Sequence, residues 1–229
     1  MEVILKIKNS HRSEPGITLV EALVVVGALA VLVVMLLPSL SRGHSCSHCQ
    51  RISCINNLKQ IGTAFRIWED DNGNTYPMEV STNLGGTKEY AFGPEVFRHF
   101  QAMQNEMGQS ARIVLCPEDT GRSAATNFIN FNNANLSYFV GVTVSATNQN
   151  PDLFLCGDRN LTNALGARRG LFLLTTNGAV GWSAGIHGDK QMTAGRILFA
   201  DGRVLPLRTS DLAAALRKPG VAPGPLAIP

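Results

Sequence analysis

No run of basic residues interleaved with aromatic ones occurs in this 229-residue chain, and its formal net charge is only +3. Together these exclude the electrostatic footprint of a nucleic-acid-binding surface. No Gly-x-Ser-x-Gly or comparable nucleophile context is present, which removes the usual sequence support for acyl-transfer catalysis. No internal repeat is visible. A secretory signal has an apolar region of roughly 7–15 residues followed by an Ala-x-Ala-like cleavage site. Here nothing of that kind follows the N-terminal apolar run; Leu37-Pro38-Ser39-Leu40 is a poor match.

What is present is a 21-residue apolar stretch, residues 17–37, that carries a single carboxylate, Glu21, near its start. A helix needs about 20 apolar residues to cross the hydrocarbon core of a bilayer. The stretch therefore predicts a membrane-spanning helix, and a carboxylate within it is a functional candidate in search of a partner. Lys6, Lys8 and Arg12 precede the stretch and predict a cytoplasmic N-terminus, with Arg42 and all that follows outside. The body then faces an oxidising space in which disulfides persist.

Residues 1–16 read as a leader, residues 17–68 as one long helix, residues 69–218 as a globular head and residues 219–229, rich in Pro, Gly and Ala, as a flexible tail. Cys54, Leu58, Ile61, Phe65 and Trp68 recur at steps of four and three, so one face of the outer helix covers a body. Glu69 to Asn74 is a turn-rich stop. Strand-like runs follow at 112–115, 136–144, 153–156 and 171–175, with a short helix between 93 and 109. Residues 197–205 place two apolar runs around Asp201-Gly202, the pair preferred by a type I′ hairpin turn. A last helix is predicted at 211–217, capped by Thr209 or Ser210. The expected fold class is α+β, a long membrane-spanning N-terminal helix packed on a small antiparallel sheet.

Gly16-Ile17-Thr18-Leu19-Val20-Glu21 resembles the processing site of type IV prepilins and type II secretion pseudopilins. That resemblance implies cleavage after Gly16 by a prepilin peptidase and methylation of the new N-terminal amine on Ile17, although Ile17 departs from the usual Phe. Pro38 matches the helix-kinking proline of the family. The stretch from Cys54 to Gly62, Asp70-Asp71-Asn72-Gly73 through Pro77, Cys116-Pro117-Glu118-Asp119 and the closing Leu198 to Val204 resemble a pilin-like group common in planctomycete and verrucomicrobial bacteria. The group has a histidine nine residues before its Asp-Gly pair. In this chain the candidate is His187, with thirteen residues before Asp201-Gly202.

The resemblance implies a structural role. Glu21 of one subunit would meet the positive N-terminus of a neighbour within a filament core and set the register of assembly. The implied partners are the prepilin peptidase, identical or related pseudopilins, a platform protein, an assembly ATPase and the bacterial inner membrane, with a periplasmic head domain. No enzymatic activity and no cofactor are implied. The alternative is a membrane-anchored periplasmic binding or enzymatic domain that uses the same export route.

Among the cysteines, Cys54 and Cys116 sit in the motif-like contexts and form the preferred helix-to-sheet disulfide. Cys156 is then unpaired, or joins Cys46 or Cys49. Cys46-x-x-Cys49 with His44 and His48 has the composition of a zinc site, but on a continuous helix these positions spread around the axis, so structural thiols are expected. His187, Asp189 and Asp201 suggest catalysis only weakly; a turn at Asp201-Gly202 and a loop hydrogen bond from His187 are the simpler expectation. Asp70, Asp71 and Asn72 read as a solvated turn rather than a calcium site, and no metal ligands are assigned.

Overall fold

The computed structural model describes residues 18–40, 47–148, 150–163, 166–167, 170–174, 180–184, 186–187, 193–217 and 224–229. Two compact units emerge, residues 1–45 and 46–229. The first contains helix α1, Leu19–Leu40. Its start is set by Thr18, whose carbonyl accepts the amide of Ala22 at 3.1 Å. The Thr18 hydroxyl oxygen accepts the amide of Glu21 at 3.3 Å, and the Glu21 carboxylate takes the Thr18 amide at 2.9 Å and its hydroxyl at 2.8 Å. This is a Thr-x-x-Glu capping box, which satisfies orphan donors of the first turn reciprocally. All described side chains of the helix, residues 19–34, are exposed.

The expected membrane-spanning helix is corrected here. Among the described residues, no helix is long and apolar enough to cross a membrane. Glu21 occupies the first turn of α1. Of the stretch 17–68, helix is described over α1 and over α2 (Ser47–Asp71), and residues 41–46 lie outside the described set. Pro38 lies within α1, beyond the described side chains, so its kink is not described; Gly16 and Ile17 also lie outside the described residues.

The second unit is α+β, and its sheet is larger than expected. Strands β1 (Tyr138–Gly141), β2 (Phe154–Asp158), β3 (Leu161–Asn163), β4 (Gly166–Ala167), β5 (Gly170–Leu173), β6 (Val180–Trp182), β7 (Ala194–Phe199), β8 (Val204–Arg208) and β9 (Pro225–Ile228) accompany helices α3 (Phe97–Ala102) and α4 (Thr209–Leu216). Six strands form an antiparallel sheet in the order β5-β9-β1-β2-β7-β8, and three form a second, β4-β3-β6.

Both faces of the six-stranded sheet are covered, which is why its central strands read as continuous apolar runs rather than alternating ones. Tyr138, Val140, Cys156, Leu198 and Ala227 join the cluster built on the α2 seam of Cys54, Leu58, Ile61, Phe65 and Trp68. Their neighbours Phe139, Ile197, Phe199, Leu226 and Ile228 face the other way, into a cluster with Trp182, Leu212 and Leu216. The period of two therefore sorts the side chains even though nearly all are buried.

Three local expectations change. Residues 111–114 form a 3-10 turn with Val114 buried, not a strand. The β7–β8 hairpin closes through three residues: Gly202 donates to the Phe199 carbonyl at 2.9 Å and Phe199 donates to that of Arg203 at 2.9 Å. Gly202 has φ of +86° and Asp201 does not have positive φ, so this is a type I turn followed by a glycine bulge, not type I′. The supposed tail supplies β9, which sits between β5 and β1 with Leu226, Ala227 and Ile228 buried.

One buried histidine outside the motifs makes stability depend on pH. His99 in α3 has no exposed surface, and its Nδ1 lies 2.7 Å from the Thr87 hydroxyl. Burial lowers its pKa to about 4, whereas an unfolded histidine titrates near 6.5. Between those values the unfolded chain binds a proton that the native state refuses. The contribution of neutral His99 is thus complete above pH ~6.5 and is lost as pH falls towards ~4, up to about 3 kcal/mol. Melting temperatures measured from pH 8 to 4.5 should fall below pH ~6.5, and His99→Gln should remove part of that fall. An unchanged pH profile in the variant would contradict it.

Candidate functional site

The chemistry-bearing residues converge on the α2 face of the six-stranded sheet. Cys54 comes from α2 and Cys116 from the loop after residues 111–114; they form a disulfide with Cα atoms 5.2 Å apart, both fully buried. Asn57, one turn further along α2, donates to the Leu115 carbonyl at 2.9 Å, so helix and loop are fastened on both sides of the bridge. The loop is then locked by Asp119. Its carboxylate takes Arg159 bidentately, Nε and Nη2 each at 2.7 Å, and the Ser137 hydroxyl at 2.8 Å. Bidentate guanidinium–carboxylate pairs fix geometry as well as contribute energy. Cys116, Glu118 and Asp119 are thereby held within one short segment.

His187 lies against this segment. Its side chain is 4 % exposed. Nδ1 contacts a carboxylate oxygen of Glu118. Nε2 lies 3.2 Å from Asp158 Oδ2 and 3.3 Å from Cys116 Sγ. The backbone of His187 has φ of +51°, a left-handed conformation that is uncommon for a residue with a side chain.

Asp158 ends β2 and has no exposed side-chain surface. Its Oδ2 accepts the Arg196 amide at 2.7 Å, while Oδ1 has no hydrogen-bond partner among the described residues. Arg196, opposite it on β7, is only 4 % exposed, and burial lowers its pKa, opposed by the nearby carboxylates of Asp158 and Glu118. Arg51 reaches Glu118 at 3.5 Å from a half-exposed position, a contact worth little. Cys156 is fully buried; burial first and Asp158 second push its thiol well up, so it stays protonated and unreactive. With the sulfurs of Cys54 and Cys116 bonded to each other, neither faces His187 as a thiolate.

Asp201 and Gly202 are elsewhere. The amide of Ala194, at the start of β7, bonds the His187 carbonyl at 3.4 Å, whereas Asp201 and Gly202 follow the end of that strand. There the Asp201 carbonyl accepts Arg66 of α2 at 2.6 Å, and its carboxylate takes Arg203 Nε at 2.6 Å. His187 and the Asp-Gly pair therefore belong to opposite ends of β7 and share no site. Asp189, Cys46 and His44 lie outside the described residues, as do the side chains of Cys49 and His48.

Sequence reading missed Asp158 and Arg196 altogether and treated Glu118 only as part of a motif. The available signal was an ionisable residue embedded in an apolar strand run, at Asp158 after residues 153–157 and at Arg196 before residues 197–200. Comparison with known proteins gives no match to any family model, curated protein or solved structure.

Proposed function

We propose that this chain is a structural pilin-like subunit, cut after Gly16 and assembled into a type II secretion or type IV pilus-like filament through α1. One observation carries the reading. An apolar helix starts two residues after Gly16-Ile17, bears a carboxylate in its first turn, and leaves all its described side chains uncovered, with Leu19 80 % and Val20 70 % exposed. So large an apolar surface calls for cover, and like helices in a filament core supply it. Both hydrogen bonds that the Glu21 carboxylate accepts from Thr18 end on Oε2. The charge of the carboxylate is shared by a cap, not neutralised, and the amine created at Ile17 of a neighbouring subunit offsets it.

The partners in this reading are a prepilin peptidase, other copies or relatives of the chain, a secretion platform and an assembly ATPase. The head domain occupies the periplasm, where the Cys54–Cys116 bond persists. N-terminal sequencing of the mature protein tests the proposal and should read Ile17 first. A second reading, a periplasmic binding domain on the same export route, is favoured by the contact between His187 and Cys116. In that case His187→Ala abolishes ligand binding by the head while export of the chain is unaffected.

A further inference from the structure

The surroundings of His187 contain the parts of a metal centre. Ligand atoms of Cys54, Cys116 and His187 all lie within 4.8 Å of one another, and all three residues are buried. In a four-coordinate zinc site with bonds of about 2.0–2.3 Å, neighbouring ligand atoms are roughly 3.3–3.8 Å apart. His187 Nε2 is 3.3 Å from Cys116 Sγ and 3.2 Å from Asp158 Oδ2, so three donors of different residues already stand near that spacing. Asp158 also has an oxygen, Oδ1, without a hydrogen-bond partner among the described residues.

The ring is oriented for this task. Its Nδ1 is engaged by the Glu118 carboxylate, which leaves Nε2 to face the sulfurs. A metal-bound histidine almost always has its other nitrogen held by a carboxylate, carbonyl or water. Charge is compatible as well. Two thiolates with the carboxylates of Asp158 and Glu118 are balanced by a divalent cation with Arg196 and Arg51, so a metal could be buried without leaving net charge behind.

We infer that Cys54, Cys116, His187 and Asp158 form a redox-gated binding site for zinc, closed as a disulfide and opened by reduction. A dithiol donor transfers two electrons and two protons to the Cys54–Cys116 bond, which breaks to two thiols while the donor becomes a disulfide. Zn²⁺ then binds as the two thiols release their protons to solvent, and His187 coordinates through Nε2. Thiolate and imidazole ligands suit zinc over magnesium or calcium, which prefer oxygen. Glu118 positions the ring and does not bind the ion. The site does not depend on the filament reading.

The test uses the full chain, oxidised or reduced with a phosphine, titrated with Co²⁺ as a spectroscopic stand-in and with Zn²⁺ for stoichiometry. The Cys46→Ser/Cys49→Ser variant serves as background and removes the competing thiols. The reduced protein should bind one ion per chain, show thiolate-to-cobalt charge transfer with tetrahedral visible bands, and regain on Zn²⁺ addition the melting temperature lost on reduction. The oxidised protein should do none of these. His187→Ala and Asp158→Asn should each weaken binding at least tenfold in the reduced state, with circular dichroism reporting whether they fold. Overturning results are equal binding by the oxidised form, absence of the thiolate band, binding unaffected by His187→Ala, or a reduced chain that Zn²⁺ fails to restabilise.

Discussion

Replacing Glu21 by glutamine should leave cleavage after Gly16 intact and abolish incorporation into filaments. The choice of glutamine follows from the local geometry. Glu21 completes a capping box with Thr18, and glutamine can occupy the same position in such a box. The substitution therefore keeps the helix start while removing the negative charge. If the charge is needed to offset the amine at Ile17 of a neighbour, breaking the pair costs about 3–5 kcal/mol per subunit. That lowers subunit association on the order of a hundred- to several-thousandfold. Glu21→Ala should be as defective in assembly and should also weaken the first turn by about 1 kcal/mol. The measurement is the fraction of mature chain in sheared or sedimented filaments, with helicity of α1 followed in parallel. Incorporation that survives in the glutamine variant would reduce Glu21 to a helix cap.

Removing the Cys54–Cys116 bond should be the largest single loss of stability in the head domain. The bridge spans 62 residues of sequence and ties α2 to the loop that carries Glu118 and Asp119. Closing a loop of that length restricts the unfolded chain by roughly 4 kcal/mol in the entropic treatment. For a domain of this size, that corresponds to about 8–16 °C in melting temperature. The Cys54→Ala/Cys116→Ala variant, unfolded by denaturant under oxidising conditions, should show this loss together with a steeper transition, because the unfolded chain is no longer cross-linked. A loss under about 1 kcal/mol would mean that the packing of Leu58, Ile61 and Phe65 against the sheet suffices on its own.

Parts of the fold were legible because their signals are local. The burial of Cys54, Leu58, Ile61, Phe65 and Trp68 follows from a helical period that needs no knowledge of the sheet. The runs that became β2 and β7 were visible as short apolar segments bounded by turn residues. Where burial depends on distant partners, sequence reading failed. Leu226, Ala227 and Ile228 sit among prolines and glycines that suggest a tail, yet β1 and β5 supply hydrogen-bonding edges on either side of them. Residues 112–115 have strand-like composition, but the neighbouring Cys116 bond and the Ser137 amide on the Val114 carbonyl hold a tight turn instead. The N-terminal helix misled in another way. Apolar composition predicted a span, and the described structure gives a capped helix whose acid belongs to its first turn.

The candidate site was legible only in pieces. His187 stood out through the resemblance, but its expected companion Asp201 lies past the far end of β7. Its real neighbours, Glu118 and Cys116, are 69 and 71 residues away in sequence, and no periodicity connects positions so far apart. Asp158 and Arg196 become neighbours only once β2 and β7 pair. The disulfide itself was suggested by motif context, not by spacing.

The most direct measurement is the sequence of the first residues of the mature chain, read by Edman degradation or top-down mass spectrometry on protein recovered from cells. Every step from Gly16 to the pairing of Glu21 requires a free or methylated amine on Ile17. A mature protein that begins at Ile17 is the expected result; a chain that retains Met1, or one that begins beyond residue 37 and so has shed α1's acid, would contradict the account.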